Sequence, residues 1–366
     1  MTNSNSIGNS NKGNRNGFLD LIKFVATVLI LFHHFQQGFN FRLGLINFWG
    51  GSFYFGRLVE LFFMISGFLM ISNIPKIPKE LSFKKFMAKR YVRLIPMVAI
   101  GTIADFFLKL FIVRAMFIES PLKYVLETVT VAMGVHGIFS NKVTFANNPM
   151  WYVSSLVFCY LVFYLCFWAC NKLQKSLRSI YLLLPVVIIL VGEAILTFAY
   201  SYPLANEYIG RGYVSFFGGI LVGLIIKKIQ VSDRVLIPFS VTVFILAVIS
   251  LYFVPALSYD SVAAIYTVFV LYSQIIVISQ TKAVSRLFNN SVISTLAKIS
   301  FHAYCLHIPV KSVFEILTKQ DSFKVFLYAY PWLCMIIFVV TVYAVSYFSY
   351  RFIEKPLAGF FSKKGI

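Results

Sequence analysis

The chain has 366 residues, of which 59% are hydrophobic and only 13% charged, with 40 Phe and 21 Tyr. Its mean hydropathy is +0.80, and ordinary globular chains are near a quarter charged, so a soluble enzyme, a secreted disulfide scaffold and a disordered protein are excluded in favour of a polytopic, all-α membrane protein. The net charge of +20, from 33 Lys and Arg against 13 Asp and Glu, reads as membrane topology rather than nucleic-acid binding, and it also suits anionic lipid headgroups or an anionic cytosolic substrate.

Residues 1–16 are rich in Asn, Ser and Gly and carry no cleavage pattern. They are expected to form a disordered cytoplasmic tail. Ten apolar segments of about twenty residues follow, near 18–39, 52–72, 94–113, 150–170, 179–200, 212–229, 235–254, 262–280, 293–318 and 325–350. An even number puts both termini on one side. With that side cytoplasmic, Lys and Arg of the inner segments outnumber those of the outer segments about three to one. Residues 17–357 then form one membrane domain and 358–366 a short cytoplasmic tail. Residues 76–93 read as a basic amphipathic helix on the inner surface. Residues 114–149 read as the longest outer connection, holding a short helix around 121–134. Without an internal repeat, an inverted-repeat transporter gains no support. The five cysteines lie in apolar runs without a CxxC pair and read as packing residues. Gly218, Gly219 and Gly223 read as a close helix contact.

Ionisable residues inside a span are costly, so they point to function. The first span reads GFLDLIKFVATVLILFHHF. At 100° per residue, Lys23 and His34 share a face to within about 20°, Asp20 lies about 40° from it, and the axial rise from Lys23 to His34 is about 16 Å. Either these groups look into one interior cavity, or Asp20 and Lys23 anchor the helix end while His33 and His34 sit at the outer interface. Arg57 and Glu60 are placed to pair at i,i+3, as are Lys311 and Glu315 at i,i+4. Arg90 and Arg93 share a face just before Pro96, which suits inner-surface anchoring or anion binding. His302 and His307 are about 140° apart, so only one of them faces the cavity of the first span. Asp105, Lys109 and Glu193 belong to no motif. No P-loop, HExxH or calcium loop is found.

Several segments, in order, resemble the acyltransferase 3 family of bacterial membrane acyltransferases: LDLIKFVATVLILFHH, with a basic residue and a histidine ten spacers apart; ELFFMISGFLM; FKKFMAKRYVRLIPM; PMWYVSSLVFCYLVF; RGYVSFFGGILVG; LAKISFHAYCLHIPV; and RFIEKPL. The likeness covers about 17 to 357. Single motifs are weak and the ordered set is specific. Lys23 stands where the family often has Arg, and it lacks the bidentate fork of a guanidinium. The hydrolase-like outer domain fused to some relatives is not in this sequence, so a membrane-only acyltransferase with a separate partner is expected. The other large membrane O-acyltransferase fold is disfavoured, because its Asn/His pattern is not found.

The resemblance implies O-acyl transfer, usually of acetyl, from acetyl-CoA as donor substrate with no permanently bound cofactor and no metal. It implies a hydroxyl acceptor on a capsule-like surface polysaccharide or its lipid-linked precursor, at a bacterial cell membrane. Lys23, Arg90 and Arg93 would hold CoA phosphates. His34 would be general base, with His33 its competitor. Glu60 would orient or protonate, and Arg57, Trp151 and His307 would meet substrate or oxyanion. Partners are membrane lipids and glycan, not nucleic acid. Two other readings use the same residues: acylation of a lipid or small molecule, and transport of a lipid-linked glycan.

Overall fold

The computed structural model describes residues 16–44, 47–72, 82–172, 180–228, 231–254, 257 and 262–363. The expected tail over 1–15, the first part of the expected 76–93 helix and the last residues 364–366 lie outside them.

Helix α1 (Gly17–Phe39) starts at Asn16, whose side-chain oxygen accepts the Leu19 N–H and whose amide donates to the Ser279 carbonyl. Asp20 in its first turn complements the helix dipole. After a loop, α2 (Leu58–Ser72) runs back. The 30-residue α3 (Phe83–Ile112) is capped by Ser82. The predicted separate basic helix is thus the first three turns of α3, continuous through Pro96. Such a proline is tolerated because neighbouring helices satisfy the freed backbone.

The next segment departs from the expected outer connection. It holds α4 (Arg114–Glu119), α5 (Pro121–Ala132) and the single turn α6 (His136–Phe139). Near the start of α5, Tyr124 packs on Phe145, which lies against Phe106. At its end, Tyr91 Oη donates to the Met133 carbonyl and Gly134 sits against Ile95. The helix therefore descends along α3 from the level of residue 106 to that of 95. It turns Leu122, Val125, Leu126, Val129 and Met133 outward in one exposed stripe. It is the short helix expected around 121–134, apolar along one face only.

The chain climbs again to α7 (Trp151–Lys172), then α8 (Ile180–Thr197), a two-residue hairpin (Ser201–Tyr202 with Ala205–Asn206), α9 (Glu207–Ile226) and α10 (Asp233–Phe253). Helix α11 (Ala263–Tyr266) leads through a π-helical turn, Thr267–Tyr272, into α12 (Ser273–Ser279). Helices α13 (Lys282–Arg286), α14 (Ser291–Leu317), α15 (Asp321–Ala329) and α16 (Pro331–Ser349) follow. A second π turn, Tyr350–Glu354, joins α16 to α17 (Lys355–Lys363). The expected short tail at 358 thus stays helical through Lys363.

Among the described residues, seven helices are long and apolar enough to cross a membrane. Two of the other predicted spans fall short for identifiable reasons: the apolar helix Ala263–Ser279 is short, and α14 carries Lys298, Lys311, Glu315 and two histidines. The protein is an all-α, multi-pass membrane protein. Its polar α14 is the central helix, because α1, α3 and α16 shield it from lipid.

Close backbone contacts set the bundle. A Cβ on Gly67 would lie 1.9 Å from the Phe216 carbonyl, and one on Gly219 would lie 2.0 Å from that of Met64. Small residues let α2 and α9 approach this closely in parallel. On α3, a Cβ on Gly101 would meet the Cys305 carbonyl at 2.3 Å, which brings α3 against α14. All five thiols are free, with Cys159, Cys305 and Cys334 buried.

Candidate active site

Helices α1, α3 and α14 run in parallel, with Gly17 against Asn289, Thr27 near the level of Ser300, and His34 beside His307. Towards their N-terminal ends they enclose, with α2 and α7, a cavity of about 650 Å³. Six cations line it: Lys23, Lys85, Lys89, Arg90, Arg93 and Lys298. Two carboxylates face them. Asp20 lies 3.7 Å from the Lys23 ammonium, and Glu354 is hydrogen-bonded to His302 Nε2. His302, 1% exposed, also bonds Ser349 Oγ through Nδ1 at 3.1 Å. Among the described residues, Lys85, Lys89, Arg90, Arg93 and Lys298 have no carboxylate partner. Arg90 stacks its guanidinium 3.5 Å over the Phe86 ring, donates to the Phe86 carbonyl and leaves Nε without a hydrogen-bond partner. An excess of fixed positive charge in a low-dielectric recess focuses the field on an anionic ligand.

The deep end of the cavity is aromatic. Tyr152 and Tyr304 both line it and pack edge to face, ring centroids 5.5 Å apart, with Tyr304 Oη donating to the Pro149 carbonyl. One helical turn beyond Tyr304 stands His307, its ring 5.5 Å from that of Tyr304 and 5.0 Å from that of His34. The shared face read from the first span therefore splits. Asp20 and Lys23 line the cavity, whereas His34 lies past its end, behind the Tyr304 and His307 rings.

Hydrogen bonds fix the histidine tautomers, because a carbonyl accepts and the ring nitrogen facing it must carry the proton. His33 Nδ1 donates to the Phe48 carbonyl at 2.7 Å, His34 Nδ1 to Gln37 Oε1 at 3.1 Å, and His307 Nδ1 to the Tyr304 carbonyl at 2.6 Å. In the neutral ring each Nε2 then holds a lone pair. His33 is buried in α1 and tied to the loop that follows it. The same loop is pinned by Gln36, which accepts the Phe48 and Trp49 N–H groups and donates to the Phe41 carbonyl and Asn47 Oδ1. His34 is partly exposed and free of such a backbone tether.

Glu60 is fully buried and pairs with Arg57 at 3.1 Å, as the i,i+3 spacing predicts. Sequence reasoning missed its second partner. Arg211 of α9 donates Nε–H to Glu60 Oε1 at 2.7 Å and Nη2–H to Oε2 at 3.1 Å. Asn206 caps α9 one turn earlier, and Arg211 lies over the Trp151 ring, which stacks on Tyr208. In the sequence Arg211 counts as an outer-loop charge, since 151 residues separate it from Glu60. Arg57 and Trp151 thus join the Glu60 cluster, while Lys23, Arg90 and Arg93 share the cavity. Asp105, without a motif, accepts the Asn147 N–H and the Ser312 hydroxyl. It anchors the turn from which α7 starts, and so holds Trp151 and Tyr152 in place.

The acyltransferase 3 family model, described as an acyltransferase domain, matches residues 16–351. The chain therefore belongs to that family and is a membrane acyltransferase. No curated protein and no solved structure matches it.

Proposed function

Taking that membership as the premise, we propose that the protein moves an acetyl group from acetyl-CoA onto a hydroxyl of a surface polysaccharide or its lipid-linked precursor. The observation that carries the donor assignment is the 650 Å³ cavity with six cations against two carboxylates in its lining. A CoA nucleotide, bearing several phosphates, suits Lys23, Arg90, Arg93 and their neighbours at the mouth. Its slender pantetheine arm suits the narrowing towards Tyr152 and Tyr304. The rise of about 16 Å between Lys23 and His34 separates phosphate binding from chemistry.

In this reading, His34 Nε2 takes the acceptor hydroxyl proton as oxygen attacks the thioester carbonyl. A C–O bond forms, the C–S bond breaks, and the proton finishes on the thiol. His34 is preferred to His33 because His33 is committed to the loop carbonyl. Glu60, held by Arg57 and Arg211, keeps two guanidiniums in place. Arg211, Arg57 and the Trp151 N–H are the donors available to a developing oxyanion.

The test is the acyl content of surface glycan, read by NMR in a deletion strain, the strain restored with the wild-type gene, and the strain restored with His34→Ala. Acetyl signals are expected only with wild type, at equal protein levels. Unchanged glycan in all three sinks the polysaccharide assignment. Full acetylation by the variant sinks His34 as base.

A further inference from the structure

Resting on the acetyl-CoA reading, we propose that His307 is a second catalytic residue, which passes the acceptor's proton from His34 to the departing sulfur. The two rings stand 5.0 Å apart, tilted by 34°. They differ in what lies on either side. His34 is partly exposed and bonded through Nδ1 to Gln37, itself exposed. His307 is 0% exposed and borders Tyr304, which lines the cation-rich cavity. Acceptor oxygen therefore reaches His34, and donor sulfur arrives on the side of His307.

His307 also has the form such a role needs. Its Nδ1–H is held by the Tyr304 carbonyl, and its Nε2 is buried without any hydrogen-bond partner. A lone pair left unsatisfied at this depth is costly, and a merely structural histidine would avoid that cost by turning to a partner. Lys311, whose ammonium lies beside Gly38 one turn above His34, is ion-paired with Glu315 on its own helix.

The step balances. The hydroxyl proton moves to His34 Nε2 as the C–O bond forms, then to His307 Nε2, then to sulfur as the C–S bond breaks. No oxidant, reductant or external proton is required. Both histidines return to the Nδ1–H tautomer.

The donor's leaving atom tests this. A selenolate departs without protonation, so acetyl-seleno-CoA does not need the acid. Inside-out membrane vesicles of a deletion strain, carrying its own acceptors, are supplied with wild-type protein, His307→Gln or His34→Gln. Transfer of labelled acetyl is then compared for acetyl-CoA and acetyl-seleno-CoA. We expect His307→Gln to lose on the order of 100-fold with the thioester and less than about 10-fold with the selenoester. His34→Gln should lose equally with both. The ratio of the two donors is internal to each preparation, so partial misfolding cancels. Equal loss of His307→Gln with both donors, or no loss with either, overturns the role of His307. If wild-type protein transfers acetyl from neither donor, the acetyl-CoA reading itself fails.

Discussion

At the scale of the residue, two adjacent histidines have different surroundings. His33 donates to the Phe48 carbonyl in a loop that Gln36 holds with four hydrogen bonds. His33→Gln is expected to lower thermal stability, by the 1–3 kcal/mol of a buried group left unpaired, and to cut transfer less than about 10-fold. His34→Gln should do the opposite, leaving the melting temperature within a degree or two and abolishing at least ~100-fold of the rate. Melting in detergent together with vesicle transfer assays separates the two, and equal behaviour refutes the division of labour. Arg90 supplies a second contrast. Its guanidinium, clamped on Phe86, lines the cavity without a carboxylate partner. Arg90→Ala should raise KM for acetyl-CoA at least tenfold, with a smaller change in kcat, because phosphate contacts at the mouth are made equally in ground and transition states. A fall in kcat alone would place Arg90 outside the donor site.

At the scale of the element, glycine sets the spacing of α2 and α9. Gly67→Val would drive two methyl groups and a Cβ into the Phe216 carbonyl, already within 1.9 Å of the Cβ position. Overpacking of this kind costs about 1–3 kcal/mol or more. Since Glu60 and Arg211 ride on the same pair of helices, transfer should fall along with the melting temperature. A variant that melts normally would show that the helices slide freely. Helix-scale features were unequally legible in the sequence. The glycines of α9 announce a close contact, and the eleven-residue step from Lys23 to His34 announces a shared face, because both depend on local periodicity. The descent of α5 along α3, the clamp of Arg211 on Glu60 and the aromatic end of the cavity depend on partners far apart in the chain, which no local period reports. The ordered motifs identified the family, but they could not show that Tyr304 and His307 stand between the cation-rich cavity and His34.

At the scale of the whole molecule, charge and depth together predict a direction. The cavity mouth carries Lys23, Lys85, Lys89, Arg90, Arg93 and Lys298, and it opens at the end of the bundle where Lys172 and Lys227 also lie. The positive-inside bias predicts that this end is cytoplasmic, and the donor is then expected to be taken only from that side. His34 lies about 16 Å further along α1, beyond the ring contacts of Tyr304 and His307, and on the proposed reading it is expected to meet the acceptor from the opposite side. Acetyl-CoA does not cross a sealed bilayer. Labelled acetyl-CoA added outside inside-out vesicles should therefore be consumed, while the same addition to right-side-out vesicles should give no transfer until detergent opens them. Lys89→Glu with Arg93→Glu, which reverses two charges at the mouth, should weaken use of the donor in the first preparation and leave the sidedness unchanged. Equal transfer in the two sealed preparations would mean that the mouth faces outward, and the charge-based orientation would have to be inverted.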